Sequence, residues 1–159
     1  MDTAVALALE GLYQPKWSEE ILEEARRNLV RHIGPETAQQ RIDNLRAVLP
    51  EAMISDYTQY FAGLTSDPKD HHVIAAALEG NASIIVTGNL RDFHPLPSSV
   101  TAQAPDDFFC GFLHQTGSIL SGLERVRTNW PKPWPTHERL LKQLATFTPR
   151  FVEHIRSVL

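Results

Sequence analysis

One cysteine, Cys110, stands in a chain of 159 residues, so no internal disulfide can form and packing alone must hold the fold. Such sparing use of cysteine fits a reducing compartment. No apolar run approaches the roughly 18 residues of a membrane span, and no basic stretch precedes an apolar one at the start. The expectation is a cytoplasmic protein with no membrane partner. Positive charge is also short: 15 Lys and Arg face 19 Asp and Glu, for a net charge of −4. No global positive field therefore advertises a nucleic-acid binder. A nucleic acid would have to be held by a local basic patch or through bridging metal ions. Internal repeats and low-complexity tracts are missing as well.

What is present suits one domain, with room for a small appendage. Hydrophobic residues make up 42% of the chain, and a chain of this size buries about two-thirds of its unfolded surface. Residues 2–10, "DTAVALALE", read as a short apolar helix with Asp2 near its cap and Gly11 behind it. "SEEILEEARRNLVRHIG" then shows Ser18 as N-cap, glutamates in the first turns, arginines further on and Gly34 as a stop. Its apolar stripe runs through Ile21, Leu22, Ala25, Leu29 and Ile33. Pro35 opens a third helix, with Ala38, Ile42, Leu45 and Leu49 inward, and Pro50 closes it. "ASIIVTG" is the clearest strand, and a second short strand is expected around residues 99–103. Helical patterns resume at Pro105, are interrupted by the prolines of "WPKPWPT", and finish with a helical pair over about 136–159. Helices alternating with short buried strands predict an α/β fold with a parallel sheet.

Three acidic stretches carry the chemistry. In "SDPKDHHVIAAALEG", a helix starting at Pro68 sets Asp70 on the stripe of Val73, Ile74 and Ala77, with His71 and His72 pointing elsewhere. Asp67 and Asp70 also resemble a capping pair at a helix N-terminus. Capping explains poorly a carboxylate on the buried face, which is costly unless paired. In "IVTGNLRDF", Thr87, Gly88, Asn89 and Asp92 leave the carboxyl end of a strand, where open α/β sheets place ligands; singly, each is ordinary turn chemistry. Among Glu19, Glu20, Glu23 and Glu24, the last two flank the apolar stripe at similar angles, and periodicity does not choose between them.

Taken in order and spacing, "WSEEILEEARRNL", "DPKDHHVIAAALEGNASIIVTGNLRDF" and "APDDFF" resemble the PIN-domain family, in the bacterial branch that includes VapC-type toxins of toxin–antitoxin pairs. The resemblance covers roughly residues 2–109. It implies an α/β, PIN-like parallel sheet flanked by helices over residues 1–104, with a helical C-terminal extension over residues 105–159. It also implies a metal-dependent ribonuclease. Carried over by position, Glu24, Asp70 and Asp92 are the expected ligands of Mg²⁺ or Mn²⁺. Asn89 stands where many members have another aspartate, and Thr87 matches the hydroxyl residue at the strand end. Such hard ions prefer oxygen ligands and are shared between carboxylates and phosphate. The implied partners are an RNA substrate and a cognate antitoxin.

One departure stands out. The family sets an aspartate on a strand ahead of the helix that matches residues 2–10, and this sequence opens at that helix. Asp2 is read as a cap, so that strand and its acid are expected to be missing. A lost strand exposes a sheet edge, from which a homodimer is expected. The rival expectation is a catalytically silent PIN-like module that binds protein or RNA. His71-His72 lack a second pair at zinc spacing, and Cys110, in "FFCGF", reads as a buried inert thiol. Trp130 and Trp134 read as anchors for the last helices, and Arg26, Arg27 and Arg31 as a solvated basic strip.

Overall fold

The structure, a computed structural model, describes residues 2–129 and 136–159. Trp130 and Trp134 lie outside the described residues, as does the Asp2 side chain. Backbone proximity divides the chain into two compact units, Pro15–Ala102 and Met1–Gln14 with Gln103–Leu159.

The Pro15–Ala102 unit is where the acidic stretches fall. Helix α2 (Glu19–Ile33) begins as its sequence demands: the Ser18 side chain accepts a hydrogen bond from the Ile21 amide at 3.3 Å. It ends at Gly34, whose φ of +79° lies in the left-handed region that glycine enters at little cost. Helix α3 (Pro35–Val48) follows at once and buries Ala38, Ile42 and Leu45. Helix α2 packs against α3 and also touches α4 (His71–Glu79). Strand β1 (Ile84–Val86) pairs in parallel with β2 (Thr101–Gln103). The pairing begins where the Thr101 amide donates to the Ser83 carbonyl at 2.9 Å. A separate parallel bridge joins Trp17 to Met53. Ile74 and Ala77 of α4 close on Ile85, Phe93 and Val100 to form a small core under the strands.

The expected helix from Pro68 takes a different course. Pro68–Asp70 is a 3₁₀ turn, and the α-helix starts only at His71. Within α4 the helical spacing is regular, but burial covers two adjoining faces, the expected one through Ile74 and Ala77 and a second through His72, Ala75 and Ala76. His72 falls in line with Ala75 and Ala76 and is buried, only 5% exposed, whereas the sequence pattern pointed it elsewhere.

The other unit is helical. Helices α1 (Asp2–Leu9), α5 (Pro105–Cys110), α6 (Thr116–Asn129), α7 (His137–Leu144) and α8 (Pro149–Val158) surround one core. Leu7, Ile119, Val152 and Ile155 are its most buried members, followed by Leu123, Leu141 and Phe151. Gly122 admits α1 against α6: a Cβ there would stand 2.9 Å from a methyl of Leu7. Asp106 reaches from α5 to the first turn of α8, where it accepts from the Phe151 amide at 3.0 Å and the Arg150 amide at 3.2 Å. Cys110 packs half-buried at the rim of this core; burial and then the nearby Asp106 push its thiol up, against reactivity. Among the described residues, no helix is long and apolar enough to cross a membrane.

Candidate active site

The site grows from two short turns in the Pro15–Ala102 unit. Asp67 caps the first: its Oδ1 accepts from the Lys69 amide at 3.1 Å, which fixes the 3₁₀ turn and sets Asp70 at the mouth of α4. The second leaves β1. There the Thr87 hydroxyl accepts from the Asn89 amide at 3.1 Å, and Asn89 opens a 3₁₀ turn over Leu90–Asp92. The Asn89 side-chain amide donates to Oδ2 of Asp92 at 2.6 Å, which holds that carboxylate in place. Phe93, buried in the core, anchors the turn from below.

Lys69 draws the two turns together. Its Nζ lies 2.8 Å from Oδ2 of Asp92, 3.4 Å from Oδ2 of Asp67 and 4.0 Å from Oδ2 of Asp70. Three carboxylates thus share one ammonium. The Asp92 bond, first among several causes, raises the Lys69 ammonium above its ordinary range. The Lys69 amide, foremost, holds Asp67 below the usual carboxylate range. Asp70 moves the other way. Burial raises it, the neighbouring Asp92 and Asp67 add to the rise, and Lys69 only partly opposes them. Its Oδ2 is buried and accepts no hydrogen bond among the described residues.

Glu24 stands elsewhere in this unit. Its Oε2 is 3.4 Å from Nε2 of the buried His72, an atom with no hydrogen-bond partner among the described residues. Glu23, the other candidate on that turn, is engaged by Arg26 at 2.7 Å and by Arg27 at 3.6 Å. The structure therefore brings Asp70, Asp92 and Asn89 together, with Thr87 holding their turn. It leaves Glu24 on His72. Among the described residues, no three His, Cys, Asp or Glu side chains converge closely enough to hold a metal ion ready-made.

The donor chemistry nonetheless suits a hard divalent cation. Asp70 and Asp92 offer carboxylate oxygens, Asn89 an amide oxygen and Thr87 a hydroxyl, all of the type that Mg²⁺ or Mn²⁺ selects. The buried Asp70 oxygen has no hydrogen-bond partner among the described residues and is chemically suited to a cation. Sequence reasoning overlooked Lys69, although its place between the aspartates of "DPKD" was a signal.

Comparison with known proteins bears on this arrangement. The PIN domain family model matches residues 1–91. A Mycobacterium tuberculosis protein named "Putative ribonuclease VapC50" is 31% identical over 117 residues, which span 69% of this chain and 68% of that protein. No solved structure matches. The helices and the small parallel sheet agree with that match, and the chain belongs to the PIN-domain family, on its VapC-like side.

Proposed function

We propose that this chain is a metal-dependent endoribonuclease of the VapC toxin type, acting in the cytoplasm under the restraint of a cognate antitoxin. The observation that carries this reading is the buried Asp70 oxygen without a hydrogen bond, set beside Asp92 where β1 ends. Kinship with a protein named for ribonuclease activity supports it. In this reading residues 1–104 form the PIN-like domain and residues 105–159 a helical extension. Asp70 and Asp92 hold Mg²⁺ or Mn²⁺, and Glu24 is the third acid of the set. When bound, such an ion supplies charge neutralisation at the phosphodiester and activation of water for in-line attack.

The chain's own residues supply the order around it. Asn89 aims the Asp92 carboxylate, Thr87 fixes the backbone that carries Asn89, and the Asp67 cap sets the turn that presents Asp70. An acidic protein needs such an arrangement to meet a polyanion. Self-association belongs to the same proposal: a two-stranded sheet leaves an edge on each strand, and such edges invite another chain. A monodisperse monomer by light scattering would count against it.

A second reading, a catalytically silent module that binds protein or RNA, is favoured by Lys69 lying among the acids and by Glu24 lying on His72. The two readings separate in one assay. A structured RNA is incubated with the protein in Mg²⁺ or Mn²⁺, beside Asp70→Asn. Metal-dependent cleavage that the substitution abolishes supports the nuclease. Cleavage no greater than that of the variant, with both proteins folded, leaves the silent module.

A further inference from the structure

We infer that Lys69 is a displaceable counter-ion of the acidic site, so that loading a divalent cation is an exchange in which the ammonium leaves as the metal enters. This rests on the metal site proposed above. Three carboxylates, from Asp67, Asp70 and Asp92, lie within 4.0 Å of the one Nζ. Without that ammonium they would repel one another across a short gap, so the metal-free protein needs a positive charge at this point.

The side chain is suited to leaving. Lys69 is 57% exposed, and its flexible four-carbon stem carries a compact point charge. An arginine could clamp two carboxylates with its fork, whereas lysine holds each by a single contact. The contacts are also graded. The ammonium sits hardest on Asp92, at 2.8 Å, and only grazes Asp70, at 4.0 Å. The oxygen that Lys69 satisfies least is therefore the buried one that a metal would use. The unmet Asp70 oxygen belongs to the proposed site, and one monovalent charge on a flexible stem, 4.0 Å away, does not satisfy it.

Removing the ammonium should lower the barrier to exchange. Mn²⁺ binding to the full chain is measured without RNA, by calorimetry and by electron paramagnetic resonance of the free ion. Wild type, Lys69→Gln, Lys69→Met and Asp70→Asn are compared. Both Lys69 variants are expected to bind Mn²⁺ roughly three- to tenfold more tightly, the scale of a few exposed lysine–carboxylate contacts. Metal-free, both should melt below wild type, and Mn²⁺ should raise their melting temperatures more than it raises that of wild type. Equal or weaker binding in both, while Asp70→Asn abolishes it, overturns the exchange and leaves the metal site standing. Wild-type binding that Asp70→Asn does not weaken overturns the site and the exchange together.

Discussion

Asp70→Asn is expected to stabilise the metal-free protein while it abolishes metal-dependent cleavage. The Asp70 side chain is 17% exposed, and its Oδ2 is buried with no hydrogen bond among the described residues. Leaving a buried acceptor unmet costs about 1–3 kcal/mol, and more when it is charged. Lys69 at 4.0 Å offsets part of this, but an exposed lysine contact recovers less than about 1 kcal/mol. Asparagine keeps the shape and removes both the charge and the repulsion from Asp92 and Asp67. The net gain should be about 1 kcal/mol, or about 2–4 °C in melting temperature for a chain of this size. The pH dependence gives a second handle. The folded Asp70 carboxyl is raised above its unfolded value. Its cost is therefore absent below the unfolded pKa, near about 3.9, and grows as pH rises past it. In urea titrations read by circular dichroism, the gain from Asp70→Asn should be full at neutral pH and shrink as the pH falls toward the unfolded value of about 3.9. A variant less stable than wild type at neutral pH, or a gain that ignores pH, would refute this account of the buried oxygen.

Other expectations follow from single contacts. Asp106→Ala should cost about 2–4 kcal/mol at neutral pH, because it strips the Arg150 and Phe151 amides at the head of α8 of their acceptor. Burial pushes the Asp106 carboxyl up, but the Phe151 amide and the Arg150 side chain and amide together hold it below the usual range. This stability is present above the unfolded pKa and is lost as pH falls, so the cost measured by urea unfolding should fade in acid. Ser18→Ala removes the N-cap of the helix that carries Glu24. A loss of about 1 kcal/mol in thermal unfolding is expected, and no loss would mean that the hydroxyl caps nothing. Arg91 is exposed beside Asp92 and has no acidic partner among the described residues. Arg91→Ala should weaken RNA binding a few-fold and lower the slope of log affinity against log salt by about one; an unchanged slope would remove Arg91 from the phosphate path.

Helix ends were legible because their chemistry is local. Ser18, Gly34 and Pro35 each act on a backbone group within a few residues, so their positions alone place the boundaries. Strand β1 was legible for a similar reason, as a β-branched run bounded by turn residues. The choice between Glu23 and Glu24 was not. Both flank one stripe, and only the partners distinguish them: arginines of the same helix for Glu23, a histidine from α4 for Glu24. His72 was misplaced because α4 is buried on two adjoining faces, and the single stripe through Ile74 and Ala77 did not announce the second. Lys69 was overlooked, although its neighbours in "DPKD" hinted at it, because periodicity says nothing of its partner. An exposed residue in a tight turn contributes to no period, and its role comes from Asp92, twenty-three residues away along the chain.

The most instructive failure of pattern concerns two aspartates that look alike. Asp70 follows Pro68 at the start of α4, and Asp106 follows Pro105 at the start of α5. Both lie within stretches that carried the family resemblance, and both are largely buried. Their surroundings differ in sign. Asp106 has two backbone amides and an arginine on its carboxylate and is held below the ordinary range. Asp70 has one distant ammonium and is pushed above it. A carboxylate that folding satisfies is doing structural service, and its charge strengthens the fold as pH rises. A carboxylate that folding leaves unsatisfied weakens the fold under the same change and is kept for something that arrives later. Opposite pH dependence in the two single variants, each measured against wild type, is therefore the stability signature that would separate the candidate ligand from the structural cap before any metal or RNA is added.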